Sequence, residues 1–213
     1  MIGVLHKLFL AVGLSTGVVV GTQSQNIALA DEPGTVLITG SSRGVGFELA
    51  KQYAVKEWKV IATCRTPSEA DDLVRLAESY PNVVIEEMDV TDVDEIEALA
   101  KGYAGTPIDV LINNAGIFGT VSLQRFEELD YSTFVDVMAV NVFGPLKVTQ
   151  AFADSVAASE KKKIVTITSG LGSMTLTEEA FEGYYFYRAS KASVNIIGRT
   201  LAADLRDRGI LIG

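Results

Sequence analysis

From Thr35 onward the chain alternates short apolar runs with stretches of helical periodicity, and this alternation is the strongest constraint on its fold. The apolar runs are continuous, which is typical of strands that helices cover on both faces. Strands that alternate with helices form parallel sheets. We therefore predict an α/β protein, with a doubly wound parallel sheet as the middle of three α/β/α layers. The predicted strands are 35–39, 59–64, 83–87, 110–113, 163–168 and 210–212.

Two long helices are predicted, over about residues 131–158 and 184–207. Thr91, followed three residues later by Asp94, has the pattern of a helix cap for the segment that runs to Lys101. No linker composition divides the chain, so residues 31–213 are expected to form one domain.

Residues 1–30 have a different composition. Lys7 precedes an apolar segment that is too short and interrupted for a membrane span, and Ala28-Leu29-Ala30 has the form of a signal-peptidase site. We interpret the segment as a cleaved secretory signal, which predicts a periplasmic or secreted protein. The alternatives are an uncleaved anchor or a true start close to Asp31, and the latter predicts a cytoplasmic protein.

Composition excludes several kinds of chemistry. His6 lies in the leader and is the single histidine, so the remaining chain has no histidine for a Ser-His-Asp triad, a zinc site or a general base. Cys64 is the single cysteine, which excludes a disulfide framework and a cysteine-rich metal site. We therefore predict no metal. The net charge of −9 argues against nucleic acid as a partner.

A glycine-rich turn, Thr39-Gly-x-x-x-Gly44-x-Gly46, joins the first strand to a helix that begins near Gly44. Glycines allow a tight turn close to a ligand, and the N–H groups of a helix N-terminus attract an anion. The spacing differs from the commonest dinucleotide fingerprint. By itself, the turn also fits a plain tight connection between strand and helix.

Ligands of an open parallel sheet bind beyond the carboxyl ends of its strands. Arg65 follows the second strand, where no carboxylate is present to bind a ribose hydroxyl, and Arg43 lies within the glycine turn. Together they suit the 2′-phosphate of NADP, although either alone fits a solvated surface arginine. The next three strands are followed in turn by Asp89, by the run Asn113-Asn114-Ala115-Gly116 and by Ser169. Each of these also fits an ordinary role, as a helix cap, a turn or a loop residue.

Tyr187 and Lys191 are spaced i and i+4 on a predicted helix, so they share one face. A neighbouring ammonium favours the phenolate form and makes tyrosine a better proton donor. Tyr184 and Tyr185 have no lysine four residues later. An isolated pair of this kind is also consistent with a packing aromatic beside a solvated lysine.

Together the glycine turn, Asn113-Asn-Ala-Gly116, Asn141, Ser169 and Tyr187-x-x-x-Lys191 resemble the motifs of the short-chain dehydrogenase/reductase family, in the family's order. The resemblance runs from about Thr35 to the end of the chain. It implies a single Rossmann domain similar to the carbonyl-reductase-like and C-factor-like members.

The resemblance implies a role for each matching residue. Tyr187 would be the general acid/base, Lys191 would assist it and hold the nicotinamide ribose, and Ser169 would steady the substrate oxygen. Asn141 would hold a proton-relay water near Lys191. The implied cofactor is NADP (NADPH), bound by Thr39, Gly40, Ser42, Arg43, Gly44, Val45, Gly46, Arg65, Asp89, Val90, Asn114, Ala115, Gly116, Tyr187 and Lys191.

Two departures from the family pattern shape the expectations. Ser169 and Tyr187 stand further apart than is usual, which predicts an inserted loop over residues 171–183. The printed chain stops at Gly213, so the family's usual last strand and substrate lid are expected to be missing. We then expect NADPH binding with poor turnover. Self-association is expected through the two long helices or through an exposed sheet edge.

The expected function is that of an NADP(H)-dependent oxidoreductase that interconverts a small carbonyl substrate and its alcohol. A regulatory or signalling module that binds the nucleotide without turnover is the alternative. It has no need of the proton donor Tyr187. An epimerase or dehydratase of the extended relatives is disfavoured by the glycine spacing.

Overall fold

A parallel sheet forms the middle of the molecule in the computed structural model, which describes residues 32–175 and 183–213. Within these residues its six strands run in the order β3-β2-β1-β4-β5-β6, and every neighbouring pair is parallel. The order extends from β1 in both directions, which confirms the predicted doubly wound sheet. The strands are β1 (Thr35–Ile38), β2 (Lys59–Cys64), β3 (Val83–Glu87), β4 (Val110–Asn113), β5 (Lys163–Thr166) and β6 (Leu211–Ile212).

Helices connect the strands. They are α1 (Gly44–Val55), α2 (Asp71–Ser79), α3 (Val93–Gly102), α4 (Tyr131–Met138), α5 (Gly144–Ala157) and α6 (Tyr185–Asp204). The prediction of one continuous helix over 131–158 was wrong, because a π-helical turn, Ala139–Phe143, separates α4 from α5. The N–H of Gly144 donates five residues back, to the carbonyl oxygen of Ala139.

The predicted cap of α3 was also wrong by one residue. Asp92 caps this helix, since its carboxylate accepts from the N–H groups of Asp94 and Glu95, at 2.9 and 3.1 Å. Thr91 instead donates its backbone N–H and its hydroxyl to Asp89 Oδ1. Asp92 has the extended backbone of a capping residue, with φ −95° and ψ 112°, and this places its carboxylate over the first helical turn.

Both faces of the sheet are buried. On β1, Val36 and Ile38 belong to one apolar cluster and Leu37 to the other, and all three side chains are fully buried. Residues of α1 and α2 cover the first face, and residues of α3 and α5 cover the second. Buried helices on both sides explain the continuous apolar runs and leave the strand ends as the place for a site.

Residues 33–213 form one compact unit. The predicted leader and most of the predicted inserted loop, residues 176–182, lie outside the described residues. Across the part of the chain that is described, no helix combines the length and apolar character that a membrane crossing requires. In the same part, no cluster of His, Cys, Asp and Glu could hold a metal ion.

Candidate active site

The glycine turn joins β1 to α1, and two of its glycines have positive φ, 69° at Gly40 and 63° at Gly44. Gly46 is required by close packing, because a Cβ there would lie 2.3 Å from the carbonyl oxygen of Gly40 and 2.4 Å from Asn114 Nδ2. The turn therefore folds back tightly onto the start of α1, and the helix begins at Gly44 as the sequence predicts.

Thr39 and Asn114 join the ends of β1 and β4. The Thr39 hydroxyl accepts from the N–H groups of Asn114 and Ala115, both at 3.0 Å. Asn114 Nδ2 donates to the carbonyl oxygens of Thr39 and Gly40, at 2.8 and 3.0 Å. Since the strand order reverses between β1 and β4, these bonds lie at the crevice where an open sheet binds ligands.

A cavity of about 460 Å³ opens at the carboxyl ends of the strands. It brings together most of the residues that were predicted to contact a cofactor. Thr39 and Gly46 lie outside its lining, and their contacts shape the turn behind it. The predicted residues that line it are Gly40, Ser42, Arg43, Gly44, Val45, Arg65, Asp89, Val90, Asn114, Ala115, Gly116, Tyr187 and Lys191.

Arg43 and Arg65 give the cavity positive charge near the glycine turn. Among the described residues, neither guanidinium forms an ion pair with a carboxylate. The nearby carboxylate of Asp89 is bound to Thr91, at 2.8 Å to the N–H and 2.7 Å to the hydroxyl. The two arginines are thus placed to bind an anion in the cavity.

Tyr187 and Lys191 lie on one face of α6 and are 8% and 5% exposed. Lys191 Nζ donates to the carbonyl oxygen of Ile167 at 2.9 Å and lies 5.7 Å from the centroid of the Tyr187 ring. Burial lowers the pKa of Lys191 below the ordinary range of lysine, because the ammonium has lost most of its hydration.

Asn141 lies in the π-helical turn and is 1% exposed. Its Oδ1 accepts from the N–H of Ile117, and its Nδ2 donates to the carbonyl oxygen of Ile117 and to Ser190 Oγ, at 2.8, 2.8 and 3.0 Å. The side chain therefore joins the loop after β4 to α6. A Cβ at Gly116 would lie 3.4 Å from Asn141 Oδ1 and 3.6 Å from Lys191 Nζ, so this loop passes close to both.

Ser169 follows β5 and immediately precedes a short 3-10 turn, Gly170–Gly172. Its Oγ caps this turn by accepting from the N–H of Leu171 at 3.2 Å. Neither Ser169 nor Asn141 is among the residues that line the cavity. The turn packs directly on α6, because a Cβ at Gly172 would lie 2.7 Å from the backbone carbonyl carbon of Lys191.

Sequence reasoning missed two residues beside Tyr187. The ring of Phe118 stacks on the ring of Tyr187, with centroids 4.3 Å apart and planes 23° apart. The fully buried side chain of Gln124 contacts both residues. Phe118 follows the Asn-Asn-Ala-Gly run by two positions, and this closeness to a predicted site could have identified it. A single glutamine in a loop of mixed composition gives no such signal. The other lining residues that were not predicted are Cys64, Met88, Thr91, Ile117, Val140, Ile167 and Thr168.

This fold and this site define a nucleotide-binding α/β protein with a tyrosine–lysine pair. The chain belongs to the short-chain dehydrogenase family of oxidoreductases, whose model matches residues 34–213.

Two curated relatives and one solved structure illustrate the family match. The short chain dehydrogenase gsfK of Penicillium aethiopicum is 36% identical over 182 residues, which cover 82% of this chain and 72% of the relative. The C-signal of Myxococcus xanthus is 33% identical over 116 residues, which cover 54% and 68%. The NADPH-bound carbonyl reductase from chicken fatty liver matches with a TM-score of 0.75 and 30% identity, over 83% of this chain and 76% of that one.

Proposed function

We propose that the protein is an NADP(H)-dependent oxidoreductase that interconverts a carbonyl group and an alcohol. The observation that carries the proposal is the buried pair of Tyr187 and Lys191 on the wall of the cavity. The similarity to a carbonyl reductase that binds NADPH supports it.

The residues that line the cavity fit NADP. The glycine turn and the N-terminus of α1 would offer backbone N–H groups to the pyrophosphate, and Arg43 and Arg65 would bind the 2′-phosphate. Asp89 and Val90 would contact the adenine, and Lys191 would bind the nicotinamide ribose. When it is bound, the nicotinamide supplies or accepts the hydride.

The protein's own part of the reaction is proton transfer and orientation. Tyr187 would donate its proton to the carbonyl oxygen, or accept one from the alcohol. The Lys191 ammonium would stabilise the negative charge that develops on the phenol oxygen, and its bond to Ile167 holds it nearby. Ser169 Oγ accepts from the N–H of Leu171 and keeps its own hydrogen, which would be donated to the substrate oxygen.

A nucleotide-binding module without turnover is the second candidate. The relative named C-signal is the observation that favours it. Such a module would bind NADPH in the same cavity, and its function would not depend on proton transfer by Tyr187, since binding alone needs no proton donor.

The proposal is tested by adding NADPH and a panel of aldehydes and ketones to the full chain and following NADPH absorbance. We expect measurable turnover, and a fall of roughly 10² to 10⁴ in kcat for Tyr187→Phe, because general acid catalysis contributes that much. Tyr185→Phe is the matched control, since this neighbouring tyrosine is 49% exposed. NADPH binding without turnover would favour the second candidate, and near-normal activity of Tyr187→Phe would reject Tyr187 as the proton donor.

A further inference from the structure

We propose that Gln124 is a positioning residue that fixes Tyr187 and Phe118 against each other, an inference that rests on the proposed function. Gln124 belongs to the loop between β4 and α4, and its side chain is fully buried. Its Oε1 accepts from the backbone N–H of Tyr187 at 2.9 Å, and its Nε2 donates to the carbonyl oxygen of Phe118 at 2.6 Å. One amide thus holds both partners of the aromatic stack.

The bond to Tyr187 compensates for an uncapped helix. The first N–H groups of a helix have no carbonyl one turn earlier to bind, and a capping side chain usually accepts from one of them. Here the residue before α6, Tyr184, has a left-handed backbone and no side-chain cap bond. Tyr187 is the third residue of α6, so Gln124 does for its N–H what a local cap does in other helices.

The bond to Phe118 fixes the other partner. Gly119 follows with φ 72°, and a Cβ there would lie 2.7 Å from Val137 Cγ2 and 3.3 Å from Gln124 Nε2. The loop therefore passes through a space that only glycine fits, and Gln124 holds the carbonyl immediately before it. This sets the ring of Phe118, which is 54% exposed, over the ring of Tyr187, which is 8% exposed.

An amide is the side chain that satisfies both contacts. It carries an acceptor and a donor on neighbouring atoms, whereas a carboxylate only accepts and an aliphatic chain does neither. Gln124→Glu keeps the acceptor for the Tyr187 N–H and, in its ionised form, loses the donor to Phe118. Gln124→Met keeps the length of the side chain and loses both bonds.

The matched control is Asn82→Leu. Asn82 Nδ2 donates to the carbonyl oxygens of Ala54 and Trp58, at 3.0 and 2.8 Å, at the amino end of β3. Its replacement also removes two side-chain-to-backbone bonds, but at the opposite end of the sheet from the cavity. A loss of stability is therefore expected in both Gln124→Met and Asn82→Leu, while a change at Tyr187 is expected only in Gln124→Met.

Two measurements on the full chain test the proposal. Amide hydrogen exchange at Tyr187, in protein without nucleotide, should be about 10-fold faster in Gln124→Met, because one hydrogen bond is lost. It should stay within about 3-fold of wild type in Gln124→Glu and in Asn82→Leu. The value of kcat per NADPH-binding site should fall by roughly 10- to 100-fold in Gln124→Met, since small displacements of a catalytic group have effects of that size. The Kd for NADPH should change little.

Unchanged exchange at Tyr187 in Gln124→Met would overturn the proposal, as would a kcat per site equal to that of Asn82→Leu. If the wild-type chain binds NADPH and reduces no carbonyl, the proposed function fails instead. The exchange measurement then decides alone whether Gln124 positions Tyr187, because it needs no turnover.

Discussion

Arg65 follows the last residue of β2 and lines the cavity together with Arg43. If the two guanidinium groups bind the 2′-phosphate, NADPH should bind more tightly than NADH by about 1.5–3 kcal/mol, the range for hydrogen bonds to charged groups. Arg65→Asp should erase or reverse this preference, which fluorescence titration of the two nucleotides measures. Arg206→Asp makes the same change of charge at an exposed position away from the cavity and should leave the preference intact. Equal titration curves of NADPH and NADH on the unaltered protein would contradict the assignment.

The buried ammonium of Lys191 predicts a dependence of stability on pH. Because burial lowers its pKa, the unfolded chain keeps the proton to higher pH than the folded chain does. The free energy of unfolding should therefore rise with pH through the window just below 10.5, the ordinary pKa of lysine.

Urea unfolding of wild type and of Lys191→Met, at pH values from about 7 to about 10, isolates this effect from other titrating groups. The wild type should gain stability relative to the variant as the pH rises. Parallel curves for the two proteins would show that Lys191 keeps an ordinary pKa in the folded state.

Individual residues of the site differ in how far the sequence predicts them. The i, i+4 spacing of Tyr187 and Lys191 predicts a shared helical face, and the structure has both on one wall of the cavity. Thr39 and Gly46 belong to the predicted turn, but their position behind the cavity depends on the contact between β1 and β4. Gln124 is buried only because the loop after β4 folds over the start of α6, and no local pattern contains that information.

At the scale of whole elements, the contact between the turn Gly170–Gly172 and helix α6 can be tested directly by substitution. A Cβ at Gly172 would lie 2.7 Å from the backbone carbonyl carbon of Lys191, whereas a Cβ at Gly198, in the same helix, would meet nothing within 4 Å. Gly172→Ala should therefore push the turn away from α6, lower the melting temperature and reduce kcat. Gly198→Ala should stabilise the protein by roughly 0.5–1 kcal/mol through helix propensity, with kcat unchanged.

Calorimetry and steady-state kinetics on the two alanine variants make the comparison. Equal melting temperatures and equal kcat values would show that the turn yields to the added methyl group and does not fix Lys191.

The strands were predicted to within two residues at each end, because burial on both faces leaves a continuous apolar run with sharp limits. The π-helical turn Ala139–Phe143 was not predicted, since the apolar pattern continues through it without a break. One extra residue in that turn changes the direction of the side chains that follow it. Asn141, within the turn, forms hydrogen bonds with Ile117 and Ser190, which are distant in sequence.

For the whole molecule, the leader gives a prediction that rests on sequence alone. When the full chain is expressed in a bacterium, residues 1–30 should be removed, because Ala28-Leu29-Ala30 has the form of a signal-peptidase site. Intact-mass measurement of the fraction outside the cytoplasm should give a protein that begins at Asp31. Soluble cytoplasmic protein that retains the leader would contradict the signal interpretation.

Gly183 and Tyr184 both have positive φ, 82° and 56°, immediately before α6 begins. Because of this change in backbone conformation, the directions of the side chains in α6 do not continue from the chain that precedes it. At Tyr184, which is not a glycine, the left-handed backbone costs about 1 kcal/mol in strain. We therefore expect that the chain between the turn Gly170–Gly172 and Gly183 can change in length or composition while Tyr187 and Lys191 keep their orientation.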